Sequence, residues 1–208
     1  MKRRCVVIGG AGIKNYQTLW DYLNPDDFNI FCDSGLSHQE ALGIEPHLIV
    51  GDFDSHENPR LNVETIVLPC EKDDTDTVYA VKEAVKRGFD DFLLLGMTGG
   101  RLDHTLGNLS ILLSLHAQGK RALLVDDYSE MEVVGREPVY IDDCFPFFSL
   151  LNISGTARGI VIKNAQYPLD GAEITCEYQY GISNEPLPGQ TAEVSLKEGR
   201  LLLVKVLP

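Results

Sequence analysis

The first 127 residues alternate short, mostly apolar runs with longer stretches of helical periodicity. The apolar runs are 5–8, 29–32, 47–50, 63–68, 92–95 and 122–125. Runs of this length that are apolar throughout are typical of strands buried on both faces. Each is followed by glycine, aspartate or proline, which marks the end of the strand.

Two helices are predicted between these strands, over 75–87 and 103–118, and Gly88 and Gly119 end them. In both, apolar residues recur three or four positions apart and share one helix face. The positions are Val78, Val81, Ala84 and Val85 in the first helix, and Leu106, Leu109, Leu113 and His116 in the second. Alternating strands and helices form right-handed βαβ units, so we predict an α/β domain with a mostly parallel sheet flanked by helices.

The pattern changes after residue 128, where helical periodicity disappears. Short strand-like runs follow at 131–134, 139–141, 147–153, 159–163, 173–178, 191–196 and 201–206, separated by Gly, Pro, Asn and Asp. This pattern is typical of an all-β antiparallel sandwich, or of a barrel. We therefore predict two domains, 1–127 and 128–208.

Composition narrows the range of functions. The formal net charge of −13, from 31 acidic and 18 basic residues, repels phosphate backbones, so nucleic acid is not an expected partner. Solubility explains most of this charge, although it would also attract a cationic substrate or a metal. No export signal or membrane segment is apparent. The five cysteines are scattered without CxxC spacing, which indicates free thiols in a reducing cytoplasm.

Aspartates concentrate where the predicted strands end. They are Asp33, Asp52, Asp54, Asp73, Asp74, Asp76, Asp126 and Asp127. In an open parallel sheet, ligands bind outside the carboxyl ends of the strands. We expect several of these loops to meet at that edge.

Asp52 and Asp54 belong to the segment GDFDS at 51–55. Residues two apart in an extended segment point the same way, and two ionised carboxylates aimed at one point require a cation. Mg²⁺ is the natural candidate, because it binds oxygen ligands and often uses one or two carboxylates together with substrate phosphates. The alternative is that both aspartates serve only as turn residues.

The segment KDDTDT at 72–77 begins the first predicted helix. Asp and Thr are favoured at the helix N-cap, and Asp74 or Thr75 meets that need. Three aspartates in four positions exceed what capping requires. We therefore assign a metal or substrate role to Asp76.

A glycine-rich turn followed by a helix occupies 96–108. The main-chain amides of such a turn and the helix N-terminus favour an anion, and Arg101 can pair with phosphate oxygens. His104 and Asn108 are four apart and share a helix face. Taken singly, the glycines could be a tight turn and His104 a surface residue. No GxxxxGK[ST] is present, and the glycines at 9–12 lack GxGxxG spacing.

The motifs GDFDS at 51–55, KDDTDT at 72–77 and GGRLDHTLGN at 99–108, in this order, resemble those of the thiamine pyrophosphokinase family. Segments 148–151, 167–169 and 181–185 and Gly159 are similar to its β-domain. The resemblance implies transfer of diphosphate from ATP to thiamine, giving AMP and thiamine diphosphate, with Mg²⁺. It also implies a homodimer whose active sites combine the α/β domain of one subunit with the β-domain of the other.

The same resemblance implies roles for individual residues. Metal ligands would be Asp52, Asp54 and Asp76, and catalysis would involve Asp54, Asp76, Arg101 and Asp103. The nucleotide side would comprise Lys72, Asp74, Thr98, Gly99, Gly100, Arg101, His104 and Asn108. Thiamine would contact Asp33, Ser183 and Asn184. Some members end in a strand whose tryptophan stacks on thiamine, whereas the only tryptophan here is Trp20.

Two other functions fit parts of the pattern. DxDxS also opens the active site of haloacid-dehalogenase-type phosphatases, but there it follows the first strand and here it follows the third. Thiamine-dependent AMP release separates the kinase from a phosphatase, which would release free phosphate. A nucleotide-sensing dimer without turnover is the non-enzymatic alternative.

Overall fold

The computed structural model describes residues 4–54 and 61–208. The chain divides into two compact units, one ending at Asp127 and the other running from Tyr128 to Pro208. Over the described residues, the helices are too short or too polar to cross a bilayer.

The first unit contains six strands and four α-helices within its described residues. Its elements are β1 (Cys5–Ile8), α1 (Tyr16–Trp20), β2 (Phe28–Cys32), a 3-10 helix (Asp33–His38), α2 (Gln39–Leu42), β3 (Leu48–Gly51), β4 (Glu64–Val67), α3 (Asp76–Lys86), β5 (Asp91–Leu95), α4 (Leu102–Ala117) and β6 (Arg121–Val125). β1, β3 and nearly all of β2 and β5 are buried, as expected for apolar strands. The prediction that the strand at 63–68 is buried was wrong, because β4 lies at the edge of the sheet and is partly exposed.

All neighbouring strands of this unit pair in parallel, in the order β6-β5-β1-β2-β3-β4. The chain moves outward from β1 to β4 and then returns to the other side of β1 with β5. Strand order therefore reverses between β1 and β5, where Ile8 is in register with Leu95. Open α/β sheets bind ligands at such a switch point.

The second unit is built from two antiparallel sheets. Its strands are β7 (Ser129–Val134), β8 (Val139–Ile141), β9 (Phe148–Leu151), β10 (Thr156–Lys163), β11 (Leu169–Thr175), β12 (Gly181–Asn184), β13 (Ala192–Ser195) and β14 (Leu201–Val206). One sheet has the order β12-β9-β14-β7 and the other β11-β10-β13-β8. Buried apolar residues of both sheets, including Phe148, Ile160 and Leu203, form one core. The predicted fold class, a parallel α/β domain followed by an antiparallel all-β domain, is confirmed.

Some local predictions were wrong or incomplete. In α4 the buried residues are Ile111, Leu112 and Leu115, whereas Leu106 is 58% exposed. Leucines occur on every side of this helix, so their spacing does not identify the buried face. The short helices before β3 and the strand β12 were not predicted, because segments this short and polar carry little periodicity.

Candidate functional site

A cavity of about 490 Å³ opens at the switch point of the first unit. This volume falls in the range of small-molecule sites. Its lining comes from the ends of β1, β2, β3 and β5 and the starts of α3 and α4. The lining residues are Gly9, Gly10, Ala11, Gly12, Cys32, Asp33, Ser34, Asp52, Asp54, Lys72, Thr75, Asp76, Thr77, Gly96, Met97, Gly99, Gly100, Arg101, His104 and Asn108.

Main-chain contacts between two glycine turns form part of this lining. The Gly9 N–H donates to the Leu95 carbonyl at 2.8 Å, and the Ala11 N–H donates to the Gly96 carbonyl at 2.9 Å. A Cβ at Gly9 would lie 2.6 Å from the Gly96 oxygen, and Gly96 itself has a φ of +62°. These close approaches require glycine at both positions.

A buried histidine supports the same turn. His38 Nε2 lies 3.0 Å from the Ala11 carbonyl, and His38 Nδ1 lies 2.8 Å from the Tyr16 hydroxyl. A carbonyl only accepts, so Nε2 carries the proton and Nδ1 accepts from Tyr16 in the neutral ring. Burial lowers the pKa of His38, although its contact with the Ala11 carbonyl acts in the opposite direction.

Three carboxylates meet on one side of the cavity. One oxygen each of Asp33, Asp52 and Asp76 lies within 4.8 Å of the others. Asp33 is 6% exposed, has a φ of +34°, and its Oδ1 has no hydrogen-bond partner among the described residues. The structure thus brings together Asp52 and Asp76, predicted metal ligands, with Asp33, predicted on the thiamine side. We call these three residues the carboxylate cluster.

Asp54 borders the same cavity but is arranged differently from the sequence-based expectation. The segment is not extended, because Phe53 has a φ of +58° and the Asp54 N–H donates to Asp52 Oδ1 at 3.2 Å. The expectation that Asp52 and Asp54 point the same way through an extended backbone was therefore wrong. Asp54 is exposed at the cavity edge. Ser55, the last residue of the motif, lies outside the described residues.

Lys72 supplies the positive charge inside the carboxylate cluster. Its ammonium group forms a short ion pair with Asp52 Oδ2 and lies 3.0 Å from Asp76 Oδ1. The Lys72 side chain is 16% exposed, and those of Asp52 and Asp76 are 9% and 18% exposed. The sequence placed Lys72 on the nucleotide side and did not indicate that it would contact the predicted metal ligands.

The electrostatics of the cluster follow from burial and from Lys72. Burial, followed by the charge of Asp76, raises the pKa of Asp33 above its usual range. Burial also raises the pKa of Asp76, although Lys72 acts in the opposite direction. The hydrogen bond from Lys72 lowers the pKa of Asp52. Burial acts to lower the pKa of Lys72, but its hydrogen bonds and charge interactions with Asp52 and Asp76 raise it overall.

At the start of α3, different residues cap the helix and contribute to the carboxylate cluster. Thr75 is the N-cap, and its hydroxyl accepts from the Val78 N–H at 3.3 Å, which decides between the two predicted caps. Asp74 pairs instead with Lys82 at 2.6 Å. Asp76, the first residue of α3, directs its carboxylate into the cluster. Asp74, predicted on the nucleotide side, does not line the cavity as the described residues define it.

The glycine-rich turn before α4 brings further predicted residues to the cavity. Gly99, Gly100, Arg101, His104 and Asn108 all line it. Gly99 and Gly100 have φ values of +99° and +60°, which only glycine adopts readily. The Asn108 amide donates to the Met97 carbonyl at 2.8 Å, so Asn108 also holds the turn against α4.

Arg101 forms a two-point contact with Asp103. Arg101 Nη2 and Nε donate to the two carboxylate oxygens at 2.6 and 3.2 Å. Both side chains are largely exposed, and this contact lowers the pKa of Asp103 to about 2. Within the described part of the chain Asp103 does not line the cavity. The contact engages two of the three guanidinium nitrogens, Nε and Nη2.

Other strand-end residues hold the first unit together. The Thr98 hydroxyl donates to Asp126 at 2.7 Å, and Thr98 does not line the cavity as far as the described residues show. The Asp127 carboxylate accepts the N–H groups of Lys14 and Asn15 at 2.8–3.0 Å. Position at a strand end thus does not by itself identify a ligand-binding aspartate.

The two predicted thiamine-side residues of the second unit have different surroundings. Ser183 is exposed, has a φ of +56°, and its N–H donates to the Ser149 hydroxyl at 3.1 Å. Asn184 is buried, and its side chain exchanges hydrogen bonds with both the N–H and carbonyl of Tyr167 at 3.0 and 2.8 Å. The contacts of Asn184 are therefore internal to this unit.

Sequence reasoning missed several residues of the cavity. Ser34 and Thr77 line it beside Asp33 and Asp76, and each immediately follows a predicted functional aspartate, which is a usable signal. Tyr16 and His38, which support the turn at Ala11, carried no such signal, because neither lies in a motif or at a predicted strand end.

Comparison with known proteins agrees with this arrangement. The model of the thiamin pyrophosphokinase catalytic domain matches residues 19–124, and that of the thiamin pyrophosphokinase vitamin B1 binding domain matches residues 138–201. The chain belongs to the thiamin pyrophosphokinase family. The resemblance stated from the motifs is thereby confirmed, and family membership favours the kinase over the phosphatase and sensor alternatives.

Individual members of the thiamin pyrophosphokinase family align over nearly the whole chain. The chain is 28% identical to the thiamine pyrophosphokinase of Bacillus subtilis, with 99% of both proteins covered. The crystal structure of the Bacillus subtilis protein superposes with a TM-score of 0.85 at 25% identity, covering 99% of each chain. That of the Geobacillus thermodenitrificans thiamin pyrophosphokinase gives 0.84 at 25% identity, covering 99% of this chain and 98% of the other.

Proposed function

We propose that this chain transfers a diphosphate group from ATP to the hydroxyl of thiamine, giving thiamine diphosphate and AMP, in a Mg²⁺-dependent reaction. The observation that carries the proposal is the convergence of the carboxylate cluster and the glycine-rich turn on one cavity, in a member of this family. Carboxylates suit a divalent cation, and the turn and Arg101 suit phosphate oxygens.

The residues present fit Mg²⁺. The cluster offers only oxygen ligands, and the buried Oδ1 of Asp33 has no hydrogen-bond partner in the described structure, as expected of an atom that awaits a cation or a proton. Asp52, Asp54 and Asp76 would hold the ion, with Asp33 beside them. Bound there, Mg²⁺ supplies positive charge that offsets the negative charge of the phosphate oxygens.

The chain's own residues position the reactants. The amide of Gly100 and the guanidinium of Arg101 bind phosphate oxygens, and Gly99, whose N–H donates to the Thr105 hydroxyl at 3.1 Å, shapes the turn that presents them. The thiamine hydroxyl oxygen attacks the β-phosphorus, the bond from that phosphorus to the α-phosphate oxygen breaks, and AMP departs. A carboxylate beside the phosphates accepts the hydroxyl proton. Such transfers depend mainly on positioning and charge stabilisation.

The proposal extends to thiamine and to assembly. Asp33, Ser183 and Asn184 form the thiamine side, with the cationic ring drawn to an acidic site. Lys72, His104 and Asn108, which line the cavity, belong to the nucleotide side, and Asp74 and Thr98 support it through their contacts with Lys82 and Asp126. We also propose a cytoplasmic homodimer with sites shared between subunits. Family membership supports this, and light scattering on a size-exclusion column tests it, because a mass of 23.1 kDa would refute the dimer.

The decisive experiment measures AMP and free phosphate in parallel. Purified protein is incubated with ATP, with and without thiamine and with and without Mg²⁺. The expected result is AMP that appears only when both are present, in equal amount to thiamine diphosphate. Phosphate release without thiamine, or AMP formation that persists in excess EDTA, would contradict the proposal.

A further inference from the structure

The carboxylate cluster is already partly neutralised by the chain itself. Lys72 contacts one oxygen of Asp52 and one of Asp76, and its side chain is 16% exposed. Asp33 completes the cluster from the buried side. Three carboxylates and one ammonium leave two negative charges uncompensated when all are ionised. The cluster therefore remains attractive to a divalent cation while Lys72 is in place.

Lys72 and a metal ion would draw on the same two carboxylates, those of Asp52 and Asp76. Mg²⁺ binds oxygen at about 2.0–2.1 Å and rejects crowded or irregular coordination. The Lys72 ammonium group is in ion-pair contact with Asp52 Oδ2 and Asp76 Oδ1, so it stands between two carboxylates that lie close enough to share an ion. Placing two cations there at once would also add repulsion between them.

We propose that Lys72 is a tethered counter-cation, which neutralises Asp52 and Asp76 in the metal-free protein and must be displaced when a divalent metal binds. The inference rests on the proposed function for the location of the metal. Lys72 stands four residues before Asp76 on a flexible four-carbon side chain, at the edge of the cavity.

The chain offers a matched control. Lys82 lies on α3 and pairs with Asp74 at 2.6 Å, but its side chain is 65% exposed and Asp74 lies outside the carboxylate cluster. Lys82→Met removes the same charge from an acidic pair a few residues away. A third variant, Lys72→Arg, keeps the charge within the cluster.

The test is a calorimetric titration of Mg²⁺ and Mn²⁺ into the full chain without nucleotide. Lys72→Met is expected to bind metal about tenfold more tightly than wild type, because a competing positive charge has been removed. Lys82→Met and Lys72→Arg should stay within about twofold of wild type. Equal or weaker metal binding by Lys72→Met would overturn the inference and leave the proposed function standing. No metal binding by either protein would also overturn the inference, whereas the proposed function is judged separately by thiamine-dependent AMP formation.

A second readout separates charge compensation from packing. In EDTA, Lys72→Met should lower the Tm because Asp52 and Asp76 lose their counter-cation, and saturating Mg²⁺ should restore it. Lys82→Met should show neither effect. A loss of Tm that metal does not restore means that Lys72 acts only through packing, and the inference fails. If Lys72→Met is not recovered folded, Lys72→Gln is used with the same criteria.

Discussion

Replacing Asp33 by Asn should stabilise the metal-free protein while abolishing its metal response. Asn has nearly the same shape and tolerates the positive φ of this position as well as Asp does. The substitution removes one negative charge from the carboxylate cluster, and the amide can donate to a neighbouring carboxylate. The variant therefore isolates the cost of a buried charge among like charges.

The magnitude follows from the separation of the charges. Two unit charges 4.8 Å apart, the limit for the oxygens of the cluster, repel by about 3.5 kcal/mol at an effective dielectric constant of about 20. Asp33 faces two such neighbours, and Lys72 offsets part of the repulsion. A net gain of about 2 kcal/mol is expected, which corresponds to a rise in Tm of about 4–8 °C for a chain of this size.

The assay is thermal unfolding in EDTA and in Mg²⁺, compared with Asp26→Asn, which removes the same charge from an exposed position. In Mg²⁺ the wild type should become more stable than the variant, because a ligand at 100 times its Kd stabilises the wild type by about 2.7 kcal/mol. The pKa of Asp33 is raised in the folded state, so the carboxyl favours folding only while protonated, and this contribution is lost as pH rises through the folded pKa. The advantage of the variant in EDTA should therefore shrink as pH falls.

Two results would refute this reasoning. If Asp33→Asn has the Tm of wild type or a lower one in EDTA, the clustered charges do not destabilise the fold. If the variant gains as much stability from Mg²⁺ as wild type does, Asp33 does not belong to the metal site.

Three further predictions concern other parts of the cavity. Asp54→Asn should lower kcat by about 10²–10³-fold without changing Tm, since Asp54 is exposed, and near-normal kcat would refute its role. The pKa of His38 lies below its ordinary value of 6.5, so the unfolding free energy should fall as pH drops below that value. His38→Gln should remove this pH dependence of the unfolding free energy, and a pH dependence that persists in the variant would assign it to another group. Gly9→Ala should lower the unfolding free energy measured in urea by about 1–3 kcal/mol, because its Cβ would meet a main-chain oxygen at 2.6 Å. Gly12→Ala, whose Cβ meets nothing within 4 Å, should lower it by about 0.5 kcal/mol or less. Equal losses in the two variants would contradict the packing argument.

The sequence determined the sheet of the first unit well because its strands are simple. Segments such as Cys5–Ile8 and Asp91–Leu95 are almost wholly apolar and buried, and the residues after them turn at glycine. A strand buried on both faces can therefore be recognised from its apolar sequence alone, without knowing which elements pack against it. α4 shows the opposite case, because its leucines occur on all sides and only packing against the sheet selects Ile111, Leu112 and Leu115.

The site was predictable by residue type and less so by geometry. Asp52 and Asp76 could be assigned from excess carboxylate at strand and helix ends, and they do meet. The contact of Lys72 with both could not, because it depends on how the loop before α3 folds over the end of β3. The direction of Asp54 depended on the left-handed conformation of Phe53, which is uncommon for a bulky residue and has no sequence signal.

The contact between Gly9 and Gly96 limits which amino-acid substitutions this part of the sequence can accept. Peptide groups on either side of this contact are the same whatever side chains the neighbouring residues carry. A ligand that contacts only peptide groups there is bound in the same way whichever side chains the surrounding residues carry. A Cβ at Gly9 or Gly96 would meet a main-chain oxygen at 2.6 or 2.4 Å, so a side chain is excluded at these two positions whichever residues surround them.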